Sequence, residues 1–258
     1  MISDRALKSF LAYAPANWVL VRIPECELLS QVKLKEPVLD VGCGDGYFAK
    51  ILLSERKQKC FDSGVDFSKE EIKRAVKNKV YKRAVQGDIK SLPFKNEQFG
   101  SAFSNGTLEH VDNIDLALKE ISRVIKKGGI FAFTVPSKYL GSYLFFSFVP
   151  GYKNFFNNIF GHVNLFDHKQ WERLLIKNNF KLSDYSYYNT KTQIKLHDLL
   201  CWWAIPAFFC KTVLGRWIIF SQLRQVTSKI ELPILKKIGE PVLSKKAGGS
   251  LFIIAQKI

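Results

Sequence analysis

Three glycines at alternate positions, Gly42, Gly44 and Gly46, follow Asp40 in the run "VLDVGCGDG". Glycine at that spacing leaves no Cβ between a ligand and the backbone amides, as a nucleotide-type ligand requires at the entrance to a helix. Asp66, in "GVDFS", stands about 20 residues further on, the separation at which a carboxylate reaches ribose hydroxyls in a nucleotide-binding βαβ unit. A dinucleotide turn, G-x-G-x-x-G, requires glycine at position 47; Tyr47 stands there, which argues against a nicotinamide dinucleotide. For proton transfer near neutral pH the natural side chain is imidazole, and the chain has four: His110, His162, His168 and His197. The five cysteines, Cys26, Cys43, Cys60, Cys201 and Cys210, are odd in number and never at C-x-x-C spacing. That pattern speaks against a disulfide framework or zinc knuckle and for a reducing compartment. Glu109 beside His110 has no ligand cluster around it, and no metal is expected.

The apolar pattern shows what must position these groups. Val38, Leu39 and Val41 read as a buried strand entering the glycine turn, and Tyr47 to Leu53 as the helix leaving it. A second strand, "FDSGVDF", ends at Asp66; the helix "SKEEIKRAVKN" follows, with Ser68 as N-cap and Glu71 three residues on. "RAVQGD" is a third strand ending in Asp88, and "QFGSAFSNG" a fourth, leading into "TLEHV". Ile114, Leu118, Ile121 and Ile125 recur at helical spacing, with Gly128 expected to cap that helix, and "IFAFTVPS" is a fifth strand ending at Ser137. Asp167 and Gln170 form a capping-box pattern before another helix, with Asn179 as its left-handed end. "FKLSDYSYY" and "SLFIIAQKI" are the last two strands. Strands alternating with helices predict an α/β fold, a doubly wound and mostly parallel sheet covered on both faces.

Taken together, "VLDVGCGDG", "GVDFS", "GDIKSLPF" and "LEHV" with "EISRVIKKGGIFAFTVP" resemble the class I S-adenosylmethionine-dependent methyltransferases, in particular the type 11 small-molecule enzymes. The resemblance covers roughly Pro37 to Ser137 and returns at the C-terminus. It implies a Rossmann-like seven-stranded sheet with an antiparallel last strand, and S-adenosylmethionine as cofactor. It assigns Asp40 and the amides around Gly42, Cys43 and Gly44 to the amino-acid end of the cofactor. Asp66 falls to the ribose hydroxyls, Phe67 to the adenine face, Asp88 to the adenine amino group and the Ile89 amide to a ring nitrogen. Ser104 and Asn105 are expected to line the cofactor cleft. His110 is expected near the transferable methyl. His162, in "GHVNLF", falls where this family often places an active-site residue. These two histidines are the candidate catalytic residues.

On this reading residues 1–36 form an N-terminal helical segment or lid, residues 37–190 and 247–258 the cofactor-binding core, and residues 191–246 a helical insertion before the last strand. The insertion holds "LLCWWAIPAFFC", from Leu199 to Cys210, and a second apolar stretch, "YLGSYLFFSFVPGY", follows the fifth strand. Paired tryptophans flanked by basic residues suit an element lying in lipid headgroups better than one spanning a bilayer; the alternative is that the two stretches pack on each other. The 39 basic and 23 acidic residues give a net charge of +16, which fits an anionic membrane or nucleic acid. No signal-peptide layout opens the chain, so the expected location is the cytoplasm, peripheral on the membrane face. The expected reaction is methyl transfer to a hydrophobic or lipid-like small molecule, with a hydroxyl as the acceptor atom. An RNA or protein methyltransferase is the alternative, but no RNA-binding module is appended and "SNGT" stands where base-directed enzymes carry an "NPPY"-type motif. No specific nucleic acid is therefore expected. A non-catalytic protein retaining the fold is the third reading.

Overall fold

The computed structural model describes residues 2–214 and 231–258. Seven strands form one sheet: β1 (Val38–Val41), β2 (Phe61–Asp66), β3 (Tyr81–Gln86), β4 (Phe99–Asn105), β5 (Ile125–Pro136), β6 (Phe180–Tyr188) and β7 (Ser250–Lys257). Their order is β3-β2-β1-β4-β5-β7-β6; β1 to β5 pair in parallel, and β7 runs antiparallel to both β5 and β6. This is the mostly parallel α/β sheet with an antiparallel last strand that the sequence predicts. All residues of β1 are buried, as befits a strand with helices on both faces. Strand order reverses between β1 and β4, and at such a switch point an open α/β sheet leaves a crevice at its strand ends.

The helices are α1 (Asp4–Tyr13), α2 (Ala16–Ser30), α3 (Tyr47–Arg56), α4 (Lys69–Asn78), α5 (Ile114–Val124), the short α6 (Leu140–Tyr143), α7 (Tyr152–Phe160), α8 (His168–Lys177), α9 (Lys191–Trp203) and α10 (Ile205–Leu214), with a further helical stretch over 231–238. One core joins α1, α2 and α3 to the sheet; a second, on the other face, joins α5 and α8 around Trp171, Phe131 and Phe133. Helix α2 is buried nearly all round because it is wedged among α1, α3, α9 and β5, and such a helix carries little apolar asymmetry. That burial takes in two polar side chains, Asn17 and Glu25.

The capping expectations hold: the Ser68 side chain accepts from the Glu71 amide, and Asp167 with Gln170 closes a full capping box. Asn179 has φ 61 just past α8. One boundary differs. Helix α5 ends at Val124 and β5 begins at Ile125, so Gly128, at φ 73, is not a helix cap. It lies in an irregular stretch where the β4–β5 register shifts between Phe99 and Ser101. Ile125 kept the helical apolar spacing while belonging to the strand, which is why the pattern ran on too far.

The two apolar stretches touch where the Phe146 and Trp202 rings meet edge-on, centroids 6.2 Å apart, and Leu140 and Leu144 share a small core with Phe156 of α7 and Ile194 of α9. Asp198 of α9, fully buried, accepts from the Tyr152 hydroxyl at 2.5 Å and the Phe146 amide at 3.2 Å. No helix among the described residues is long and apolar enough to cross a membrane. Residues 215–230, within the 191–246 insertion, lie outside the described residues.

Candidate active site

At the switch point a cavity of ≈ 580 Å³ opens beside the carboxyl ends of β1, β2 and β4. Its floor is the glycine turn, with Gly42, Gly44 and Gly46 at φ +76, +52 and +76. A Cβ on Gly42 would run into the Thr107 side chain, whereas one on Gly44 would meet nothing within 4 Å and would project into the open cleft. Asp66 stands at the lip. Its two carboxylate oxygens accept from the Gly44 amide at 2.8 Å and the Ser68 amide at 2.9 Å. Phe67 beside it is 76 % exposed, an apolar ring with nothing packed over it at the cleft wall. Asp88 and Ile89 face the same space, with Asp88 Oδ1 accepting from the Lys90 amide. An open backbone cradle, a carboxylate at its edge and a bare aromatic face fit an adenosyl ligand.

Five expected contacts are placed differently. Asp40 is buried beneath the turn, accepts from the Tyr81 hydroxyl at 2.6 Å and does not line the cleft; burial pushes its carboxyl up to about 7. The Gly42 and Cys43 amides both donate to the Val65 carbonyl, and the Gly44 amide to Asp66, so the turn's amides serve the β1–β2 junction. Cys43 borders the cleft with its thiol pushed up by burial. Ser104 is buried and donates to the Val41 carbonyl between β1 and β4, away from the cleft. Asn105, one residue on and therefore on the opposite face of the strand, does border the cavity.

The N-terminal helices supply side chains that the motifs did not reveal. Tyr13 stacks on Tyr47 at 3.8 Å and donates to Asp45. Arg22 Nη1 donates to Glu25 Oε2 and Asn105 Oδ1, each at 2.7 Å, and the Arg22 guanidinium lies over the Trp18 ring at 5.0 Å. The available signal was an aromatic and a basic residue, Trp18 and Arg22, one helical turn apart in a mostly apolar helix.

A second cavity, of ≈ 280 Å³, adjoins the first, and Trp18, Arg22 and His110 line both. Phe156, Phe160, His162 and His197 form its aromatic wall, and Glu109 lies in its side. The Leu108–His110 turn is locked to the loop after α7. The Val163 and Asn164 amides donate to the Glu109 carbonyl, and Asn164 Nδ2 donates to the carbonyls of Leu108 and Val111. His110 Nδ1 lies 3.1 Å from the Gly161 carbonyl. A carbonyl only accepts, so Nδ1 carries the proton and Nε2 keeps its lone pair. The His110 and His162 rings stack with centroids 5.6 Å apart. Burial lowers both imidazoles, His162 to about 4 with help from the other two histidines. His168 is used structurally, stacked on Tyr185 and bonded to the Tyr187 hydroxyl. Among the described residues no group of three His, Cys, Asp or Glu side chains is arranged to hold a metal ion.

Residues 39–133 match the family model described as a methyltransferase domain. Residues 39–133 thus carry a methyltransferase domain. It is 42% identical over 121 residues to an uncharacterised protein of Methanocaldococcus jannaschii, covering 46% of this chain and 45% of that one. It is 31% identical over 97 residues to the malonyl-[acyl-carrier protein] O-methyltransferase of Enterobacter lignolyticus, 38% of each chain. The chain thus matches less than half the length of these relatives. Its fold is that of a SAM-dependent methyltransferase of Thermotoga maritima, with TM-score 0.61, 19% identity and 93% of both chains covered.

Proposed function

We propose that this methyltransferase moves a methyl group from S-adenosylmethionine, held in the larger cavity, to the hydroxyl of a hydrophobic small molecule held in the smaller one, at an anionic membrane surface. The observation that carries the reading is the shared wall: Trp18, Arg22 and His110 border both cavities, one glycine-floored and the other aromatic. S-adenosylmethionine, when bound, supplies a methyl group already activated on sulfonium. Asp66 holds the ribose, Phe67 covers the adenine, and Asp88 with the Ile89 amide reads the adenine edge.

The chain's remaining work is alignment, exclusion of water and removal of one proton. With the methyl group that the cofactor would supply, His110 Nε2, left unprotonated by the Nδ1 contact to the Gly161 carbonyl, would take the proton of the acceptor hydroxyl. His162, held at about 4, is too weak a base at neutral pH and serves as a stacking wall that orients His110. The malonyl-[acyl-carrier protein] relative methylates oxygen, by its name, which is consistent with an oxygen acceptor here.

Membrane contact is supported by what surrounds the smaller cavity. Ile159 belongs to its wall and is also exposed; Phe148 at 75 % and Trp203 at 86 % exposure lie on the same two apolar stretches. Lys191 and Lys195 are exposed on α9, and the chain's charge is +16. Incubation with methyl-labelled S-adenosylmethionine and whole-cell lysate, followed by separation into organic extract, RNA and protein, tests the acceptor class. Label in the organic phase is expected; label confined to RNA or protein would contradict it.

A further inference from the structure

Glu109 is 5 % exposed, lies in the wall of the smaller cavity, and has one carboxyl oxygen, Oε2, with no hydrogen-bond partner. Buried polar atoms are nearly always paired, so an unpaired one beside a cavity points to a ligand. Its backbone is pinned at this position, its main-chain carbonyl accepting from the Val163 and Asn164 amides. Its other oxygen, Oε1, lies 3.8 Å from His110 Nε2, the atom assigned to receive the acceptor's proton.

The charges facing Glu109 come from several elements. Arg22 and Glu25 of α2 are already joined to each other and to Asn105, and the Tyr188 hydroxyl of β6 reaches Glu25 at 3.4 Å. His110 on the same turn, His162 on the next loop and His197 of α9 complete the surroundings. Burial pushes the Glu109 carboxyl up to about 8, with Arg22 pulling it down and Glu25 pushing it up. Near neutrality it is a carboxylic acid able to donate, as well as accept, a hydrogen bond.

Building on the methyltransferase reading, we propose that Glu109 is the polar anchor of the acceptor pocket. It hydrogen-bonds an uncharged oxygen head group, an alcohol, phenol or enol on a compact apolar body, and holds that oxygen beside His110. An anionic head would need a cation, and the Arg22 guanidinium is already matched by Glu25. The rings of Phe156 and Phe160 suit the apolar body.

The test uses the full chain loaded with S-adenosylhomocysteine and three probes sharing one ring system: 2-naphthylmethanol, 2-naphthylmethylamine and 2-naphthoate. Calorimetric titration of the wild type is expected to favour the alcohol. Glu109→Gln, which can still donate, keeps that affinity within about threefold, and Glu109→Ala lowers it about tenfold or more. Alcohol affinity of the wild type also falls as pH rises through 8, while that of Glu109→Gln does not. Unchanged alcohol binding by Glu109→Ala would overturn the anchor, as would preference for the amine or the carboxylate, or failure of all three probes to bind. S-adenosylhomocysteine affinity is read first and stays equal across the variants. A wild type that does not bind it would sink the underlying methyltransferase reading, not the anchor alone.

Discussion

At the scale of single residues, the sequence marked the chemistry but not always the face on which it is displayed. Asp66, Phe67, Asp88 and Asn105 border the larger cavity where the motifs put them. Asp40 and Ser104 belong to the same motifs yet turn into the sheet, Asp40 toward Tyr81 and Ser104 toward the Val41 carbonyl. A strand's alternation tells which residues share a face, but where both faces are buried, as on β1 and β4, polarity alone does not say which face meets ligand. Asp40 now has a consequence of its own. Its carboxyl titrates near 3.8 in the unfolded chain and at about 7 when folded, so the folded state binds the proton more tightly. The resulting stabilisation is full below the unfolded value and is lost as pH rises through 7. Asp40→Asn, which keeps an oxygen for Tyr81, is expected to flatten the fall in denaturant midpoint between pH 5 and pH 8. An unchanged slope in urea titrations at those two pH values would contradict this.

At the scale of elements, local signals were read well wherever the chain itself closes the structure. Ser68 and Asp167 cap their helices as their spacing predicts, and the glycine turn lies between β1 and α3. The same turn carries a direct test. Gly42 combines φ +76 with a Cβ direction occupied by Thr107, so Gly42→Ala is expected to destabilise the fold by roughly 1–3 kcal/mol. Gly44→Ala at φ +52 meets open space and should cost less stability while obstructing the cleft. Urea unfolding of both variants checks the order, and equal losses would refute it. What the sequence did not disclose is the part built by tertiary approach. Helix α2, buried on most sides, brings Trp18 and Arg22 to the cavity and Glu25 to Asn105, and Asn164 ties the turn that carries Glu109 to the loop after α7. Neither contact leaves a periodic trace in the chain.

At the scale of the whole molecule, composition gives the sign of the net charge and the structure shows which large apolar side chains are exposed. The excess of 39 basic over 23 acidic residues says nothing about where a partner docks. Phe148 and Trp203 are exposed on the two apolar stretches, and the exposed Ile159 borders the proposed acceptor pocket. Replacing Trp202 and Trp203 together by Ser is expected to reduce sedimentation with anionic vesicles by more than about tenfold, since burying two aromatic side chains in the interface is worth a few kcal/mol. Unaltered sedimentation would return the patch to packing within the chain. The central claim, that the glycine-floored cleft holds S-adenosylmethionine, is tested most directly by calorimetric titration of the wild type and Asp66→Ala with that cofactor. One-to-one binding by the wild type, weakened at least about tenfold by the loss of two ribose hydrogen bonds, is the expected result. Absence of binding by the wild type, or equal affinity in Asp66→Ala, would contradict the assignment.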